Sequence, residues 1–66
     1  MQVWSIFRHQ HLFQAPMKGT DGSPIAVRFY PGGFEVRHNG KRIGDHLGAV
    51  ELCGVLNYLD AEPLTR

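Results

Sequence analysis

The side chains with chemistry to offer are a run of cations between residues 28 and 42, four histidines and one cysteine. Arg28, Arg37, Lys41 and Arg42 lie close together in sequence, with Tyr30 among them. Cations interleaved with an aromatic are what a β-ribbon uses to meet a nucleic-acid backbone, the cations on phosphates and the ring packing or stacking. His9 and His11 stand two apart, so on a strand they would share a face, and His38 and His46 flank a turn. Zinc normally takes four ligands, and Cys53 falls on an apolar helical stripe where it cannot join a surface set. The histidines therefore read as edge and turn residues, and no metal or other cofactor is expected. Cys53 beside a histidine is a formal nucleophile–base pair, but a lone cysteine among apolar neighbours packs as a small hydrophobe. There is no glycine-rich phosphate loop, no nucleophile elbow and no pair of carboxylates in plausible proximity. The expectation is a binding protein without catalytic residues.

The cations are organised by the stretch IAVRFYPGGFEVRHNGKRIGD, residues 25–45, which reads as two successive β-hairpins. Asn39-Gly40 between alternating runs is a strong hairpin signal, because a two-residue type I′ turn needs φ > 0 at both positions. Pairing outward from it sets His38 against Lys41, Arg37 against Arg42, Val36 against Ile43 and Glu35 against Gly44. Pro31-Gly32-Gly33 supplies the other turn, with proline presetting φ and the glycines free to go left-handed. It sets Phe29 against Phe34, Arg28 against Glu35 and Val27 against Val36. The two turns agree on one register. One face then carries Ile25, Val27, Phe29, Phe34, Val36 and Ile43, and the other carries Arg28, Tyr30, Glu35, Arg37 and Arg42.

The rest of the chain supports that sheet. Residues 2–13, QVWSIFRHQHLF, are rich in β-formers and are expected to be a strand, although Val3, Ile6, Phe7 and Phe13 also fit a helical period. Residues 14–24 hold two prolines, two glycines and Thr20, Asp21 and Ser23, and read as a loop with a short extended piece around Ala15 to Lys18. Asp45 is placed to cap a helix over residues 46–60, in which Ala49, Leu52, Cys53, Leu56 and Leu59 recur at helical spacing. Glu62-Pro63 marks its end, and residues 61–66 are expected to be loose. The fold class is α+β: a small antiparallel β-meander of three to four strands with one C-terminal amphipathic helix packed on one face.

Sixty-six residues make a single small domain near the lower limit for independent folding. With one cysteine an intrachain disulfide and a zinc ribbon are both excluded. The start MQVWSIFRHQ lacks the basic-then-apolar form of a signal peptide, and no run approaches the roughly 18 apolar residues of a membrane span. A soluble cytoplasmic protein with no membrane partner is expected. The net charge is only +1, but it is unevenly spread. Residues 1–44 are basic and residues 45–66, with Asp45, Glu51, Asp60 and Glu62, are acidic.

Three strands and a C-terminal helix, with GGFEVRHNGKRIG leading into the helix, loosely resemble the DNA-binding domains of some plant regulators and the arm-binding domains of some phage integrases. The resemblance covers residues 25–60, rests on topology and a few hairpin residues, and implies DNA contact through the sheet face. The helix here is more acidic than in those domains. Arg37 opposite Arg42 points the same way, because like charges facing each other are destabilising unless an anion joins them. Nucleic-acid binding through Arg28, Tyr30, Arg37, Lys41 and Arg42 is thus the leading expectation. The competing one is a protein-interaction module or inhibitor, with a homodimer among its forms. It would use Val50, Gly54 and Tyr58, which recur every four residues on the helix, together with Trp4.

Overall fold

The computed structural model describes residues 3–64. It holds two helices and a five-stranded antiparallel sheet: α1 (Ile6–His9), a 3-10 turn (Gln10–Leu12), β1 (Met17–Lys18), β2 (Pro24–Tyr30), β3 (Gly33–His38), β4 (Lys41–Leu47), α2 (Ala49–Tyr58) and β5 (Glu62–Pro63). The sheet order is β4-β3-β2-β1-β5. The first four strands form a meander, and α2 carries the chain back across one face so that β5 can close on β1.

The expected hairpins form. Phe29 faces Phe34, Arg28 faces Glu35 and Val27 faces Val36. Asn39 and Gly40 both take positive φ, at 56° and 79°, as a type I′ turn requires. His38 faces Lys41 and Arg37 faces Arg42. Beyond those two pairs the register departs from expectation. Gly44, not Ile43, stands opposite Val36, and Leu47 stands opposite Phe34. Ile43 is an extra residue on β4, and a second extra residue lies in Asp45-His46, where His46 turns left-handed at φ 55°. These are β-bulges, which bend an edge strand and break its regular ladder.

The bulges also correct the helix. Because β4 runs on to Leu47, α2 begins at Ala49 behind Gly48, which offers no side-chain cap, and it ends at Tyr58. Asp45 is therefore not an N-cap; its carboxylate accepts from the His46 backbone N–H at 2.9 Å. At the far end Asp60 goes left-handed and the Ala61 N–H returns to the Leu56 carbonyl at 2.9 Å, a common helix terminus. Residues 61–64 are not loose: Ala61 is fully buried, Glu62–Pro63 pair with β1, and the Leu64 N–H donates to the Pro16 carbonyl.

The N-terminal segment is the largest correction. Residues 6–12 are helical, not a strand. Ser5 sits in extended conformation and its hydroxyl accepts from the Arg8 N–H, so an N-cap stands inside the segment where the composition pointed to β structure. This places Trp4 and Phe13 in the core with Met17, Ile25, Val27, Val36, Leu52, Cys53, Leu56 and Ala61. Phe29 and Ile43, expected on the apolar face, remain largely exposed at its margins.

Candidate functional site

On the sheet face away from α2, the arginines already have an anion. Glu35 is 4% exposed. Its carboxylate accepts from Arg37 Nε at 3.1 Å and lies 3.8 Å from Arg42 Nη1. Arg42 also reaches Asp45 at 3.6 Å, and Asp45 lies 3.2 Å from His46 Nδ1. The facing arginines are thus bridged by the chain's own carboxylates, and the Glu35 hydrogen bond raises the Arg37 pKa above its usual value. Arg28 and Tyr30 lie along the same face and are exposed; among the described residues Arg28 makes no ion pair. Lys41 stands apart from this group. It is paired across the turn with His38, whose ring faces the helix side, and directly opposed residues share a face.

On the helix side, α2 and the edge strand β4 enclose an apolar groove of about 690 Å³ lined by His38, Ile43, Glu51, Gly54, Val55, Tyr58 and Leu59. Of the predicted helical strip, Gly54 and Tyr58 line it; Val50 does not, although it is exposed. A side chain at Gly54 would meet nothing within 4 Å, so the glycine leaves a gap in the helix surface that none of the described residues fills. Ile43 lines the groove from the face on which alternation places it, while the bulge puts Gly44 opposite Val36 in its stead. Trp4 cannot serve as an exposed anchor. It is 2% exposed, with its indole N–H donating to the Ala61 carbonyl at 2.8 Å.

One constellation has no signature in the sequence. The Ser23 hydroxyl oxygen lies 2.6 Å from Asp21 Oδ1 and 2.6 Å from His38 Nε2. The residue types are those of a hydrolytic triad but the order is wrong, because serine stands between the other two. A hydroxyl has one proton, and a carboxylate can only accept. Ser23 therefore donates to Asp21 and accepts from His38, so its proton points at the carboxylate and the imidazole is not placed to take it. The chain of bonds ties the 19–23 loop to the end of β3. These bonds, Ser23 hydroxyl first and Ser23 backbone N–H second, hold the Asp21 carboxyl below its ordinary value.

The histidines are scattered, and no group of three or more metal-binding side chains comes together among the described residues. Cys53 is buried as a free thiol, and desolvation pushes its pKa up, toward the unreactive form. No helix among the described residues is long and apolar enough to cross a membrane. Comparison with known protein families, curated proteins and solved structures finds no match.

Proposed function

We propose that this chain is a small non-catalytic protein-interaction module working through the groove between β4 and α2. The observation that carries the reading is the lining: Ile43, Gly54, Val55, Tyr58 and Leu59 make an apolar trough whose polar residues are only His38 and Glu51. Tyr58 is 88% exposed beside it. Tyrosine gives a large contact area at low entropic cost and is a favoured anchor at interfaces. A glycine within a helix costs about 0.8–1.0 kcal/mol relative to alanine, a cost that close approach of another chain would offset. The test is a peptide library panned on the folded protein alone, the selected peptides then being titrated against both that protein and Gly54→Arg. Selected peptides should shift the amides of residues 43, 54, 55, 58 and 59 and lose binding to the variant. Peptides that bind both proteins equally would overturn the reading.

A second reading, nucleic-acid binding on the opposite face, is favoured by one observation: Arg28 and Tyr30 are exposed there beside Arg37 and Arg42. Titration with a short mixed-sequence DNA duplex should then shift the outer-face amides of β2 and β3 at low salt and release them as salt rises. Absence of shifts at low salt would end it.

A further inference from the structure

We infer that the partner that fits the groove is a second copy of this chain, docked edge to edge through β4. The inference rests on the groove being an interaction surface and adds its occupant. Among the described residues β4 is the outermost strand on its side of the sheet, so one row of its backbone groups faces no strand there. A two-fold interface requires a patch that is complementary to itself, and β4 reads Lys41-Arg42-Ile43-Gly44-Asp45, with cations at one end and an anion at the other.

The bulge fixes which antiparallel register satisfies both charge and face. Arg42 and Asp45 share the outer face, as their 3.6 Å ion pair requires. Gly44 stands opposite buried Val36 and Ile43 lines the groove, so those two belong to the helix side. A two-fold axis between Ile43 and Gly44 pairs Arg42 of each protomer with Asp45 of its partner, and Ile43 of each with Gly44 of its partner. Both of these pairs lie on one face, Arg42 and Asp45 each meet the opposite charge, and each isoleucine stands against a residue with no side chain. The ion pair that Arg42 and Asp45 make within each protomer is exchanged, two pairs within chains becoming two between them. The same axis leaves both copies of α2 on one side of a single continuous sheet. The two grooves then merge, with Ile43 and Tyr58 from each protomer available to fill them. A core of this size gains from such an extension, since small domains often depend on association for stability.

Sedimentation equilibrium over a wide concentration range should show a monomer–dimer equilibrium. Arg42→Asp and Asp45→Arg should each weaken dimerisation at least tenfold, because each places like charges opposite one another. An equimolar mixture of the two variants should dimerise again. The acidic side chain introduced at position 42 of one then meets the basic side chain introduced at position 45 of the other, while Asp45 of the first meets Arg42 of the second. Circular dichroism melts establish that each variant is folded. If either is not, intermolecular nuclear Overhauser effects between Ile43 and Gly44 in half-labelled wild-type protein decide the matter, and their presence is the expected result. A monomer at millimolar concentration, a dimer lacking those effects, or folded variants that fail to rescue each other would overturn the inference. A monomer that still captures groove-dependent peptides would overturn the self-pairing alone. A monomer that captures none would end the groove reading as well.

Discussion

Trp4 and Asn57 hold each other through backbone and side chain at once: the Trp4 N–H donates to the Asn57 side-chain carbonyl at 2.6 Å, and the Asn57 amide donates back to the Trp4 carbonyl at 3.3 Å. With the indole bond to Ala61, this clasp pins the N-terminal segment to the C-terminal end of α2 across more than fifty residues. Trp4→Phe keeps most of the packing but leaves the Ala61 carbonyl without its donor, which should cost about 1–3 kcal/mol. Trp4→Ala removes the packing too and should cost about 3–5 kcal/mol. Urea titration of the two variants should show this order with an unchanged slope.

That clasp also explains what was and was not legible in the sequence. The hairpins were readable because their determinants are local: Asn39-Gly40 and Pro31-Gly32-Gly33 dictate turn geometry, and alternation dictates faces. The helical stripe of α2 was readable for the same reason. Residues 3–12 were not, because a tryptophan bonded to residues 57 and 61 is a tertiary arrangement that overrides β propensity, and Ser5 caps a helix of one turn, too short for the helical spacing of Val3, Ile6, Phe7 and Phe13 to outweigh the β-rich composition. The bulges in β4 escaped because nothing in the alternation of Val36, Arg37, Arg42 and Ile43 marks the extra residue. The candidate sites inherit both outcomes. Tyr58 and Gly54 were visible on the helix and Ile43 and Glu35 on their faces of the sheet, whereas the groove that joins Ile43 to α2 and the burial of Glu35 against Arg37 and Arg42 required the fold.

Glu35 gives the arginine pair its internal anion, so removing its charge should have two effects of opposite benefit. Glu35→Gln should lower the melting temperature, because Arg37 and Arg42 then face each other without the carboxylate that joins them, Asp45 reaching Arg42 alone of the two. It should also raise affinity for a polyanion such as heparin or a short DNA duplex, since the freed guanidiniums can take external phosphates or sulfates. A thermal melt and a salt-dependent binding titration on the same variant check both. Unchanged polyanion binding would mean that Glu35 does not hold the arginines back.

Asp21 makes stability depend on acid. Its folded pKa lies below the ordinary value of 3.8 because the Ser23 bonds favour the ionised form. A carboxyl depressed on folding contributes stability above its unfolded pKa, and the contribution is lost as pH falls through the folded value. Thermal melts between pH 6 and pH 2 should therefore show a loss at the acid end that Asp21→Asn reduces. Ser23→Ala should reduce it in the same way, because it removes one of the two bonds responsible.

Two glycines should respond in opposite directions to the same added methyl. Gly54 lies within α2 with open space where a Cβ would stand, so Gly54→Ala should stabilise the fold by about 0.8–1.0 kcal/mol. Gly33 sits at φ 134°, and a Cβ there would come within 2.8 Å of the His46 carbonyl carbon and 2.9 Å of the Leu47 carbonyl oxygen. Those atoms are backbone and belong to the second bulge of β4, so they cannot swing aside as a side-chain tip would. Gly33→Ala should cost more than about 2 kcal/mol through strain and overpacking together. Chemical denaturation measures both changes, and amide shifts at Asp45, His46 and Leu47 should move only in the second variant. A Gly33→Ala protein as stable as wild type would mean that the bulge can relax, and the register of β4 that the groove depends on would then be softer than the contact with Gly33 implies.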